Sequence, residues 1–131
     1  MVKVEVNYLV KTPQKYEALF GEIACLAAKE LKLNQLEVSV ALVSGPAMRK
    51  LNNRHRGKDS ITDVLSFEEV NEVIICFSRA RKQARENRQT VREEVAFLFL
   101  HGLLHLLRFD HKAKSQKIKM FGLSQKILDR L

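Results

Sequence analysis

Three of the four histidines in this 131-residue chain, His101, His105 and His111, fall within one short run. His101 and His105 are four residues apart. On a helix that spacing turns the chain by about 400° and raises it by about 6 Å, so both rings leave on one face. Two imidazoles so placed can grip one ion. His111 lies six residues further on. In an unbroken helix it would stand about 9 Å higher and on another face. It reaches the same ion only if the helix stops near Leu107 and Arg108, Phe109 and Asp110 turn the chain back. The expected cofactor is one divalent transition metal. Zinc leads, because neutral imidazole suits it and three protein ligands leave the open fourth position of a catalytic site. Nickel, copper and iron also accept imidazole.

The spacing His-x3-His-x5-His is that of the metzincin zinc signature, without its other residues. Gly102 stands where that signature has its glutamate base, and Arg108 where it has its turn glycine. Residue for residue this is not a peptidase site. Asp110 either orients a ligand imidazole or caps the turn, and the sequence does not choose between them.

A phosphate-directed reaction also needs a fixed cation. Arg56 is the candidate, since guanidinium stays charged and meets phosphate as a bidentate fork. It falls in Asn53–Thr62, a polar stretch with Gly57, Asp59 and Ser60 that reads as a loop. Asp63 and Ser66 follow in the same block, where Asp63 could hold the loop or accept a proton. Arg81, Arg85 and Arg88 recur at helical spacing, with Arg92 beyond, as a candidate stripe that could track a phosphate backbone. The seven Phe and two Tyr fall mostly at core-type positions, so binding to such a strand is expected to be led by its backbone, not by base stacking.

These residues need elements to hold them. Val2 to Val10 alternates as a strand. Thr12-Pro13 reads as a helix start, and Tyr16, Leu19, Phe20, Ile23, Leu26 and Ala27 continue at helical spacing, giving a helix over 13–32. Leu36 to Val43 alternates again. Ser44 can cap a short helix to about Asn53. Val64 to Phe67 and Val73 to Phe77 read as strands joined as a hairpin. Ser78 would cap a basic helix to Asn87. Thr90 and Glu93 fit a capping box opening a helix to about Leu107, apolar nearly all round and therefore buried. Residues 114–130 form a last helix. The order β-α-β-α-β-β-α-α-α predicts one small α+β domain over 1–131, with a mixed sheet of about four strands, helices packed on it and a buried histidine-bearing helix.

Composition narrows the partners. Twenty-three Lys and Arg against 15 Asp and Glu give a net charge of +8, which attracts polyanions. The longest apolar run, Val95 to Leu107, is too short for a membrane span, which needs about 20 residues. Met1 leads straight into the first strand without a leader pattern. Cys25 and Cys76 sit alone in apolar segments and read as two buried thiols of a cytoplasmic protein.

The run His101 to His111, HGLLHLLRFDH, resembles the signature of the YbeY family of bacterial rRNA maturation factors. So do Arg56 to Phe67, RGKDSITDVLSF, and Val73 to Phe77, VIICF. With Met120 and the final helix the resemblance spans nearly the whole domain. It implies a cytoplasmic, metal-dependent endoribonuclease directed at single strands, acting in 16S rRNA 3′-end processing and ribosome quality control. Ribosomal RNA and ribosomal subunits would be its partners. By position it makes His101, His105 and His111 the metal ligands and Arg56 the functional arginine. The chain departs from the family pattern at Arg108, where glycine is common, and at Asn71-Glu72, in place of Gly-Asp. Two other readings stand beside it: a non-enzymatic ribosome-assembly factor that uses a metal to dock, and a zincin-like peptidase.

Overall fold

A computed structural model describes residues 1–107 and 114–131, with side chains of the latter range from 119 onward. Four strands and five helices follow one another as β1 (Val2–Tyr8), α1 (Glu17–Glu30), β2 (Leu36–Val43), α2 (Gly45–Arg56), β3 (Val64–Phe67), β4 (Glu72–Cys76), α3 (Phe77–Glu86), α4 (Val91–Leu106) and α5 (Lys114–Leu128). The sheet is mixed, in the order β1-β2-β4-β3. β1 and β4 run parallel to β2, and β3 runs antiparallel to β4. Val4 is opposite Val38, Val40 opposite Val73, and Leu65 opposite Ile74. This is the expected α+β domain.

Alternation assigns the two faces. Val38, Val40, Leu42, Val73 and Ile75 point into the main core with α1, α4 and α5. Ala41, Val43, Leu65, Ile74 and Cys76 point the other way, into a smaller cluster closed by Met48 of α2. Each fully buried Val, Leu, Ile or Phe stabilises by about 1.5–3 kcal/mol, so the larger face holds most of the fold's stability.

Several boundaries differ from expectation, each for a local reason. α1 starts at Glu17, not at Thr12-Pro13. Tyr16 is buried against Phe20 and Phe77. Its backbone N–H donates to the Tyr8 hydroxyl at 2.7 Å, while the Thr12 hydroxyl closes a turn on the Gln14 carbonyl. α3 begins straight out of β4, with Cys76 at its N-cap and no side-chain cap. Ser78 is already inside the helix, 3.4 Å from the Cys76 sulfur. Cys76 is buried, but Cys25 is exposed, on the outer side of an amphipathic helix. No helix among the described residues is long and apolar enough to cross a membrane.

Candidate active site

α4 carries the histidine pair. Its start is fixed by the expected capping box. Thr90 Oγ1 accepts from the Glu93 N–H at 3.0 Å, and Glu93 Oε1 accepts from the Thr90 N–H at 3.0 Å. The Thr90 N–H, and the Thr90 hydroxyl donating to the same Oε1 at 2.9 Å, hold the Glu93 carboxyl below its ordinary range. The helix ends at Leu106, close to the expected stop near Leu107. Val95, Leu98, Phe99, Leu103 and Leu104 are buried, but the helix is not enclosed all round. Phe97 is 44% exposed and both histidines are partly exposed, because α4 forms the wall of two clefts instead of lying wholly in the core.

Gly102 explains how closely that wall lies on the sheet. A Cβ here would stand 2.7 Å from Val73 Cγ1 and 3.1 Å from Ser66 Oγ. The Ser66 hydroxyl donates to the Gly102 carbonyl at 2.8 Å, tying α4 to β3 between the two histidines. A glutamate at this position would point into the sheet. The peptidase reading thus lacks its base and also the space for one.

His101 and His105 bring their Nε2 atoms to 3.2 Å, with the rings 4.7 Å apart and inclined at 70°. Two imidazoles on one tetrahedral zinc have nitrogens about 3.3 Å apart, given zinc–nitrogen bonds of about 2.05 Å. The donor pair therefore fits the expected ion. In an ion-free protein the same separation is an N–H···N hydrogen bond between the rings. Among the described residues no three His, Cys, Asp or Glu side chains gather as a ligand set. His111, the third expected ligand, lies outside the described residues, as do Arg108, Phe109 and Asp110.

Arg56 joins the histidines from the opposite face of the sheet. It belongs to the last turn of α2, not to a loop. Asn53 to Arg56 are polar because they form an exposed helix face, and the stop is Gly57, in the left-handed region at φ 67°. The following segment is pinned from two helices. Arg49 pairs with Asp59 at 2.7 Å, Asn52 Nδ2 donates to the Ser60 carbonyl at 3.0 Å, and Arg79 donates to the Ile61 carbonyl at 3.0 Å. Asp63 ends it by accepting from the Val64 N–H at 2.8 Å and from Gln83 Nε2 at 3.3 Å. The Asp63 carboxylate is thus the anchor of the loop. Arg56, Asp63, Ser66, Glu68, His101 and His105 line one cleft of about 490 Å³.

The three arginines do not form one helical stripe. Arg81 and Arg85 are exposed one turn apart on α3. That helix ends at Glu86, and Arg88 follows at φ 54°, off the helical repeat. None of the three lines the histidine cleft.

A model of the endoribonuclease YbeY family matches residues 3–131. The chain belongs to the endoribonuclease YbeY family. A relative of that name from Sulfurihydrogenibium sp. (strain YO3AOP1) is 36% identical over 98% of this chain and 92% of its own length. One from Bacillus subtilis (strain 168) is 37% identical over 79% and 77%. A Thermotoga maritima protein solved in solution superimposes with a TM-score of 0.72 at 29% identity, covering 98% of this chain and 87% of that one. The departure from the YbeY pattern at Asn71-Glu72 has a backbone explanation. Asn71 sits in the left-handed region, φ 48° and ψ 54°, which asparagine tolerates better than other side chains and glycine supplies freely.

Sequence reasoning missed Glu94 and Phe97. Glu94 is buried, and that burial pushes its carboxyl up, against a lowering hydrogen bond from Asn87. A first-turn glutamate gives no sign of burial. Phe97 was legible in principle, being four residues before His101, but an apolar helix invites assignment of every ring to the core.

Proposed function

We propose that this protein is a metal-dependent endoribonuclease directed at single-stranded RNA. It acts in rRNA processing, in 16S rRNA 3′-end maturation and in ribosome quality control in the cytoplasm, on ribosomal RNA and ribosomal subunits. The observation that carries this reading is the meeting of Arg56 with His101 and His105 in one cleft, from helices on opposite faces of the sheet. The name shared by the relatives supplies the reaction class.

His101, His105 and His111 would hold one divalent metal, with zinc first. When bound, such an ion supplies Lewis acidity toward a water or a phosphoryl oxygen. Arg56 binds the scissile phosphate and offsets the charge that grows on its oxygens. Asp63 and Ser66 act on position: one fixes the loop after Arg56, the other fixes α4 beneath the histidines. Arg81 and Arg85 extend phosphate contacts along α3, and Arg88 contributes from the turn beyond it.

The test is cleavage of a single-stranded RNA carrying the 3′ end of 16S rRNA. The zinc-loaded protein cuts it, a chelator abolishes the cut, and Arg56→Ala slows it about 10²- to 10³-fold. RNA left intact by the metal-loaded parent, where a related enzyme cuts it, contradicts the reading.

A further inference from the structure

His101 has a second side. A larger cleft, about 1070 Å³, lies between α4 and α5, and His101 lines it as well as the Arg56 cleft. Its walls carry two exposed rings, Phe97 at 44% and Phe121 at 71%, where the sequence led us to expect aromatic residues committed to the core. Phe97 lies one turn before His101. The two rings are nearly parallel, 25° apart with centroids at 6.0 Å, so aromatic groups follow one another from the histidine into the cleft. Its polar lining mixes the Arg92 guanidinium and the Gln89 amide with the carboxyl groups of Glu93, Glu94 and Asp129, and the Asn87 and Gln125 amides are bonded to Glu94 and Asp129.

Flat apolar faces with hydrogen-bonding edges are the chemistry of a nucleobase. Unpaired bases are held by stacking on aromatic rings and by polar groups at their edges. An apolar helix from another protein would bury the Arg92 charge and the carboxyl groups that line the cleft, at a cost in desolvation. A strand whose phosphate lies between Arg56 and His101 carries a flanking nucleotide past His101 toward this cleft. We propose that the cleft is a subsite for one unstacked base of the RNA, that of a nucleotide flanking the scissile phosphate, with Phe97 as its stacking platform and Phe121 beside it. This rests on the endoribonuclease reading of the neighbouring cleft. It also gives single-strand preference a physical origin, since a paired base must first be extruded from its stack.

The experiment is single-turnover cleavage of single-stranded RNA in which an abasic residue replaces each nucleotide flanking the scissile phosphate in turn. The parent, Phe97→Leu, Phe97→Trp and Phe121→Ala are compared. At one position the abasic residue slows the parent about 5- to 150-fold, the span of one base–ring stack. Phe97→Leu slows intact RNA by a similar factor but adds no further loss on the abasic RNA. Phe97→Trp restores the rate, and Phe121→Ala shows a smaller loss at the same position. Phe97 is partly exposed, so an unchanged thermal midpoint verifies that the variants are folded. Multiplying losses in Phe97→Leu and the abasic RNA would mean that Phe97 merely supports His101, and would overturn the subsite. A parent indifferent to every abasic position overturns it too, with the endoribonuclease reading intact. A parent that cuts no RNA removes both.

Discussion

At the scale of single residues, the proposed chemistry turns on Arg56 and on the lack of space at Gly102. The Arg56 side chain is exposed, so its removal leaves the fold intact while the reacting phosphate loses a fixed donor. Arg56→Ala should lower the cleavage rate constant about 10²- to 10³-fold, the usual cost of one such donor. Arg56→Lys should recover little, because an ammonium group cannot form the fork. Rapid-quench assays read both; full activity in Arg56→Ala would place the phosphate elsewhere. Gly102 works the other way, as a residue required by space. Gly102→Glu forces a side chain against Val73 and buries an unpaired carboxylate beneath α4. The expected loss of stability is about 3 kcal/mol or more, from overpacking and desolvation together. A denaturant midpoint unchanged from the parent would show that the helix can lift off the sheet.

Elements were legible where the signal was periodic or chemical, and less so where packing decided. The strands followed from alternation, and α4 from the Thr90–Glu93 box, which the structure closes as expected. The histidine pair was legible because four residues is a helical interval. The start of α1 was not, because the Tyr8 hydroxyl that receives the Tyr16 N–H comes from the end of β1. Nor was the end of α2, because polarity marks an exposed helix face as readily as a loop. Sheet order and the approach of Arg56 to the histidines depend on tertiary contacts that no local pattern records. The capping box yields a prediction with a pH signature. Thr90→Ala should cost about 1 kcal/mol at neutral pH. The Glu93 carboxyl is held below its ordinary value, so its contribution is present above the usual glutamate range, about 4.3, and is lost as pH falls through the lowered folded value. The gap between parent and variant should therefore narrow in acid. Thermal melts at neutral pH and below pH 4.3 measure it, and a gap independent of pH would remove Glu93 from the cap.

At the scale of the whole molecule, the charge of +8 should draw RNA from any direction, and the two clefts that meet at His101 should order it. Affinity for single-stranded RNA should fall with salt, by about 0.7 in the logarithmic slope for each phosphate contacted. If Arg81 and Arg85 touch the backbone, replacing both with alanine lowers that slope by about 1.4; an unchanged slope takes α3 off the RNA path. In the proposed reaction a metal links charge to cleavage, and one titration examines that link most directly. Single-turnover cleavage of 16S 3′-end RNA is followed as zinc is added to metal-stripped protein. The rate should rise and level at one equivalent per chain, and His111→Ala should show no such rise. A metal-stripped chain that cuts as fast as the loaded one, or a loaded chain that never cuts, would contradict the account.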